Sequence, residues 1–298
     1  MTIRVGLVGA GQRASEVHAP ALAACAETEF AGVWARSHGA SAELAARYRA
    51  RVFESYHDLL EECDAVALAV PPAAQAELGA HAAHARKAVL LEKPIAGDIA
   101  GAENLLMAVD RGGAVSQVAL VWRHAPAIQR FLDAAERTWP VGGSGLAISG
   151  TQTDESSASP WRLERSVVLE LGPDLVDLLE AALGRVVDVR AQGDPSGWFG
   201  LLLEHEGGRF SQASLYARAV IDPPRAEVEI YGPGGATSID CVAAVGREAY
   251  EAMYRDFAGA VERGTPPPTD VRHGLHLQQV IEAAETDLIR SGPSTIAP

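Results

Sequence analysis

The sequence predicts two successive architectures. The first is a doubly wound parallel α/β sheet, and the second an α+β unit with an open, mainly antiparallel sheet. Three observations carry this. Apolar segments alternate with helical ones from residue 3 to about 121, at the spacing of right-handed βαβ units. A glycine-rich turn, Gly9-Ala10-Gly11, joins the first strand to the first helix. After residue 121 the pattern becomes a run of short alternating strands punctuated by Gly and Pro, closed by two helices. The boundaries follow as 1–121 and 122–298.

Residues 3–8 (Ile-Arg-Val-Gly-Leu-Val) read as a buried strand, followed by a helix over 14–25. Strands at 30–34, 52–53, 65–70, 88–91 and 115–121 alternate with helices at 41–49, 56–62, 75–86 and 101–111. The run Ala65–Val70 is apolar throughout, as a strand covered on both faces requires. In the second part, 127–135 reads as helix, 144–159 as polar and partly loop, and 167–171 as strand. A helix over 175–183 is started by Gly172-Pro173 and stopped by Gly184, the usual asymmetry of proline at the start and glycine past the end. Strands follow at 186–191, 200–205, 210–216, 226–231 and 236–239, then helices at 247–263 and 271–291.

Composition narrows the function. The chain has 298 residues, is 48% hydrophobic and carries a net charge of −14. A basic stripe, the footprint of a nucleic-acid partner, is not predicted. Neither a membrane-spanning stretch nor a secretory leader is read from the sequence, so a cytoplasmic protein is expected. Three widely spaced cysteines, Cys25, Cys63 and Cys241, suit buried small hydrophobes rather than a disulfide framework or a metal cluster. No metal site is predicted. The partners expected are a small-molecule substrate and further copies of the chain.

Gly9-Ala10-Gly11-Gln12-Arg13-Ala14 supplies two of the three glycines of a dinucleotide fingerprint. Ala14 stands in the third place, where only a small side chain is needed. The first glycine permits a tight turn and the second lets the backbone approach a pyrophosphate. Amides at the following helix N-terminus then hold the phosphates. This defines a Rossmann unit with ligand binding at the carboxyl ends of its strands, and Gly9, Ala10, Gly11, Gln12 and Arg13 as cofactor residues. A carboxylate at the end of the second strand would read a ribose 2′-hydroxyl. Here the residues are Ala35-Arg36-Ser37. Without a carboxylate, and with a guanidinium able to pair with a 2′-phosphate, NADP is favoured over NAD.

Glu92-Lys93-Pro94 follows the strand 88–91. The only lysines are Lys87 and Lys93, so of 25 basic residues 23 are arginine. A lysine kept here, in a chain that otherwise uses arginine, points to a role arginine cannot fill. Its pKa falls readily on burial, whereas arginine stays charged.

With these motifs the sequence resembles the glucose–fructose oxidoreductase, inositol dehydrogenase and rhizopine-catabolism (Gfo/Idh/MocA) family of NAD(P)-dependent oxidoreductases. The resemblance covers nearly the whole chain. It includes Gly9-Ala10-Gly11, His18-Ala19-Pro20-Ala21-Leu22, Val70-Pro71-Pro72, Glu92-Lys93-Pro94 and Gly172 through Asp177. It implies that Val70, Pro71 and Glu92 border the cofactor. It also implies that Lys93 lies between nicotinamide and substrate, binding the reacting oxygen. Trp161-Arg162 resembles a pair that members place near nicotinamide or substrate, and Arg123 follows the strand that ends the first domain, near the expected cleft. Gln75 sits where many members carry histidine, with a cofactor-side role at most. Members commonly associate through the outer face of the second sheet, so a homodimer or homotetramer is expected.

One motif departs. The family's usual Asp-x-Gly-x-His-x-x-Asp reads Glu170-Leu171-Gly172-Pro173-Asp174-Leu175-Val176-Asp177 here. Asp174 replaces a histidine that in many members moves the substrate proton. Histidine both accepts and donates near neutral pH. An aspartate beside a helix start is a poorer base, unless burial near Glu170 raises its pKa. Asp177 is expected at the substrate. His124 is read as an exposed loop histidine rather than a substitute base. Two functions follow. One is NADP(H)-dependent hydride transfer on a sugar, cyclitol or related polyol, with Lys93, Asp174 and Glu170 catalytic. The other is a dinucleotide-binding protein with little or no turnover, acting as a sensor or complex subunit.

Overall fold

The computed structural model describes residues 2–150, 167–194 and 196–290. They form two compact units. One comprises the chain through His124 together with Gly246–His276. The other comprises the described residues of Ala125–Val245 and the segment from Leu277.

The first unit is built on six parallel strands: β1 (Ile3–Val8), β2 (Thr28–Trp34), β3 (Arg51–Val52), β4 (Ala65–Leu68), β5 (Ala88–Leu91) and β6 (Ser116–Val118). Their order is β3-β2-β1-β4-β5-β6. The order reverses direction between β1 and β4, so a crevice opens there at the carboxyl ends. β4 and β5 are fully buried, as their unbroken apolar sequences require.

A π-helical turn Ala14–His18 continues into α1 (Ala19–Ala24). The other crossovers are α2 (His38–Tyr48), α3 (Tyr56–Glu62), α4 (Pro72–His84) and α5 (Ile99–Gly112). Side-chain oxygens of Ser37, Ser55 and Asp98 cap α2, α3 and α5 by accepting from backbone amides. β6 is shorter than expected. It gives way to a 3-10 turn, Val121–His124.

In the second unit α6 (Pro126–Arg137) precedes β7 (Gly142–Ile148), and α7 spans Val167–Leu183. Strands β8 (Val186–Gly193), β9 (Phe199–His205), β10 (Arg209–Tyr216), β11 (Arg225–Gly232) and β12 (Gly235–Asp240) follow. The sheet order is β12-β11-β7-β10-β9-β8, antiparallel except where β7 pairs parallel with β10. The short α8 (Cys241–Ala244) follows β12. α7 packs on one face of this sheet, with Leu175 against Gly145. The opposite face leaves Leu202, Phe210 and Tyr231 exposed.

Two sequence readings are corrected here. Residues 142–148 form a strand in the middle of the second sheet, where a partly looped segment was expected. Its glycines and serine hide the strand pattern, but Gly143 and Gly145 lie close under Ile230 and Leu175. Second, Val167–Leu171 is not a strand but the first turn of α7, which continues through Pro173. A five-residue apolar run cannot separate a buried strand from a buried helix. Asp174 therefore lies in the helix interior, about two turns from its start, and not at a helix N-terminus.

The last two helices are α9 (Arg247–Arg263) and α10 (Val271–Arg290). α9 belongs to the first unit, where Met253, Tyr254 and Phe257 join the core of β1, β2 and α1. The three cysteines are free and buried. Among the described residues no helix is long and apolar enough to cross a membrane, and no group of His, Cys, Asp or Glu could hold a metal ion.

Candidate active site

The glycine turn lies at the carboxyl end of β1, at the crevice. Gly9 has φ +112, and a Cβ there would overlap the Ala69 carbonyl oxygen at the end of β4. Only glycine fits this position. Gly11 differs: a Cβ there would meet nothing within 4 Å. Packing does not require glycine at 11. The open space above its backbone is the cradle a close-approaching pyrophosphate needs, so the residues present fit a dinucleotide. Gly11, Gln12 and Arg13 lie at the entry to the helix, with Ser15 N donating to Gly11 O at 3.0 Å.

Arg13 spans the crevice. Its Nε donates to Glu92 Oε1 at 2.6 Å, linking the loop after β1 to the turn after β5 with β4 between them. His18 Nε2 reaches the same carboxylate oxygen at 2.8 Å, and His18 Nδ1 lies 2.7 Å from Tyr254 Oη. Burial holds the Tyr254 hydroxyl well above its ordinary pKa, and Glu92 adds to this. The hydroxyl therefore stays protonated, and the two ring nitrogens of His18 bridge Tyr254 Oη and Glu92 Oε1. Burial alone would raise the Glu92 pKa. The Arg13 charge and the His18 hydrogen bond outweigh it and hold the carboxylate far below its ordinary range. Glu92 is thus an ionised carboxylate engaged by the fold, beside the residue expected to do chemistry.

Lys93 is half-buried and follows directly, with a cis peptide bond to Pro94. Gln75, on α4, is fully buried. Its carboxamide bonds the backbone of the Glu92–Ile95 turn. The sequence allows it a cofactor-side role at most, and its carboxamide engages the backbone of the lysine turn. Val70 and Pro71 lie between β4 and α4.

At the end of β2, Ala35 is partly buried and Arg36 exposed. Ser37 Oγ accepts from Ala40 N at 3.4 Å as the cap of α2. Arg123 lies in the turn after β6, half-buried. His124 is not the exposed loop histidine expected. Its side chain is only 7% accessible, and Nδ1 is 2.7 Å from Asp256 Oδ2 on α9. Its partner comes from a segment 132 residues away, which local sequence cannot reveal.

Glu170, Asp174 and Asp177 all lie on α7 in the second unit. Their spacing of four and three residues puts them along one side of the helix. Asp177 is fully buried. Asp174 also acts on Cys241, whose thiol is pushed up to about 12 by burial, with Asp240, Asp174 and Glu227 adding to it. Trp161 and Arg162 lie outside the described residues.

Fold and site together define a nucleotide-binding Rossmann unit joined to an α+β unit, with the Glu92-Lys93-Pro94 turn at the carboxyl edge of the parallel sheet. Residues 3–120 match the family model described as "Oxidoreductase family, NAD-binding Rossmann fold", that of the Gfo/Idh/MocA family.

Among curated relatives, a UDP-N-acetylglucosamine 3-dehydrogenase of Acidithiobacillus ferrooxidans is 30% identical over 192 residues, which is 64% of this chain and 58% of the relative. A dTDP-3,4-didehydro-2,6-dideoxy-α-D-glucose 3-reductase of Saccharopolyspora spinosa is 36% identical over 95 residues, 31% of this chain and 29% of the relative. The matched regions thus span less than two thirds of these relatives. The fold extends further. A solved structure of the A. ferrooxidans enzyme superposes with a TM-score of 0.83 at 24% identity, covering 96% of this chain and 99% of that one. The Lactobacillus casei scyllo-inositol dehydrogenase, solved with NAD(H) and scyllo-inositol, gives a TM-score of 0.84 at 16% identity, covering 98% of each chain.

Proposed function

We propose that this protein is an NADP(H)-dependent oxidoreductase acting on a ring CH–OH or C=O carbon of a sugar, cyclitol or related polyol. The observation that carries the reading is the Arg13–Glu92 link. It joins the dinucleotide loop to the Glu-Lys-Pro turn on one edge of one sheet, so cofactor-binding and reactive groups share a rigid frame. The curated relatives named for nucleotide-sugar oxidation and reduction support the substrate class.

Gly9, Ala10, Gly11, Gln12 and Arg13 would hold the pyrophosphate, and Arg36 with Ser37 the adenosine ribose. Val70, Pro71 and Glu92 would border the nicotinamide. When bound, the nicotinamide supplies or accepts the hydride. Lys93 binds the reacting oxygen and, as an ammonium, polarises a carbonyl or steadies an alkoxide. In reduction it would also donate the proton. Asp174, with Glu170, is assigned to proton relay or substrate orientation, and Arg123, Trp161, Arg162 and Asp177 to substrate binding. The exposed sheet face of the second unit, carrying Leu202, Phe210 and Tyr231, is assigned to self-association.

The test is a panel containing scyllo-inositol, UDP-N-acetylglucosamine and keto-sugar nucleotides, followed by cofactor absorbance. Saturable turnover abolished by Lys93→Ala supports the reading. Tight NADPH binding without turnover on any member supports a second one, favoured by Asp174 at the histidine position: a dinucleotide-binding sensor or subunit.

A further inference from the structure

The backbone of the turn that carries Lys93 is gripped by a buried side chain, that of Gln75. β5 stops pairing with its neighbours at Leu91, opposite Leu68 of β4 and Val118 of β6. Beyond that point, among the described residues, no strand pairs with the backbone of Glu92. Buried backbone groups without partners cost about 1–3 kcal/mol each. Gln75 takes the missing strand's place. Its Oε1 accepts from Glu92 N at 2.8 Å, and its Nε2 donates to Glu92 O at 2.7 Å. The same Nε2 lies 3.2 Å from both Pro94 O and Ile95 O. The carboxamide therefore touches residue 92 on one side of Lys93 and residues 94 and 95 on the other. Lys93 is the residue it brackets.

We propose that Gln75 is a positioning residue for Lys93: its carboxamide fixes the Glu92–Ile95 turn and so sets the direction in which the lysine leaves it. The inference rests on Lys93 as the polarising group proposed above. Gln75 satisfies the chemical demand closely. A donor and an acceptor on one planar group serve one residue as a strand would, and the second N–H extends the grip past the proline, which has no N–H of its own. Glu92 is pinned independently by Arg13 and His18, so the turn is fixed at its side chain and at its backbone.

The chain offers a direct readout because it has only two lysines. Reductive 13C-methylation labels Lys87 and Lys93, which NMR then resolves alongside the α-amine. Lys87 is the internal control. It lies just ahead of β5, and its Nζ donates to Cys63 O at 2.8 Å. Two variants probe the carboxamide. Gln75→Glu keeps the shape and loses the donors. Gln75→Asn keeps the donors but is one methylene too short to span the turn.

In both variants the Lys93 signal and its titration midpoint should move while those of Lys87 stay. NADPH affinity, from fluorescence titration, should change less than about threefold, since a positioning role acts on the chemical step. On any panel substrate, kcat should fall about 100-fold, the scale of a misplacement near 1 Å. A Lys93 signal that moves in a protein with no turnover would sustain this inference while removing the oxidoreductase reading. An unmoved Lys93 signal would overturn it. So would a joint movement of both lysines, or unfolding of both variants, which would show that Gln75 holds the unit as a whole.

Discussion

Arg13 Nε and Glu92 Oε1 lie 2.6 Å apart, although 79 residues separate them in sequence. The same oxygen receives His18. A carboxylate with two such donors stays ionised to lower pH in the folded state than in the unfolded one. Its folded pKa lies below the ordinary 4.5. The sign follows by linkage. The stabilisation is fully present above about pH 4.5 and is lost as the pH falls toward the folded value. Glu92→Gln should therefore be less stable than the parent near neutral pH, by about 1–3 kcal/mol, with the gap narrowing in acid. Urea melts at neutral pH and in mild acid measure it. A gap that stays constant across that range would remove the Arg13–Glu92 interaction as its cause.

The two glycines of the turn make opposite predictions. Gly9 is required by the backbone, with positive φ and the Ala69 carbonyl against it. Gly9→Ala should lower the melting temperature with or without cofactor. Gly11 faces open space, so Gly11→Ala should melt like the parent. The added methyl fills the phosphate approach and should weaken NADPH binding at least about tenfold, roughly 1.4 kcal/mol. Normal melting with unchanged NADPH affinity in Gly11→Ala would count against the dinucleotide site itself.

The second sheet offers a surface test. Leu202, Phe210 and Tyr231 lie about half exposed on the face opposite α7. Side chains alternate along these strands, so they share that face while Leu201, Leu203, Ala213 and Ile230 pack under α7. If copies of the chain associate there, Phe210→Asp with Leu202→Glu should shift sedimentation to a smaller species and leave the circular dichroism of the fold unchanged. A parent protein that sediments as a monomer, or variants with unaltered mass, would exclude this face as the interface.

The legibility of the chain followed the length scale of each signal. The parallel strands were readable because burial on both faces makes sequences such as Ala65–Leu68 wholly apolar. The antiparallel strands were readable because one face alternates with the other. β7 was not, since glycines at 142, 143 and 145 remove the alternation in a strand chosen for close approach. α7 was misread at its start because Gly172-Pro173 mimics a helix N-terminus, whereas the helix tolerates both inside. At the site, the sequence named Lys93 and the glycine turn through local motifs. It did not pair Arg13 with Glu92, His18 with Tyr254, Gln75 with the lysine turn, or His124 with Asp256. Each of those partners is brought by topology, and no periodicity encodes it.

The proposed preference for NADP rests on the end of β2. Ala35 stands where a carboxylate would accept a ribose hydroxyl, and exposed Arg36 follows it. A 2′-phosphate brings two negative charges that a carboxylate would repel and a guanidinium would hold by paired hydrogen bonds. Charge-assisted hydrogen bonds are worth about 1.5–3 kcal/mol, which corresponds to roughly 10- to 100-fold in affinity. Arg36→Ala should therefore weaken NADPH by about that factor and leave NADH nearly unchanged. Ala35→Asp should act further, repelling NADPH and adding an acceptor for the NADH ribose, so that the preference inverts. Fluorescence titration of both cofactors against the three proteins provides the comparison. A parent that binds NADH as tightly as NADPH, with Arg36→Ala affecting both alike, would assign Arg36 to the solvent and the protein to NAD.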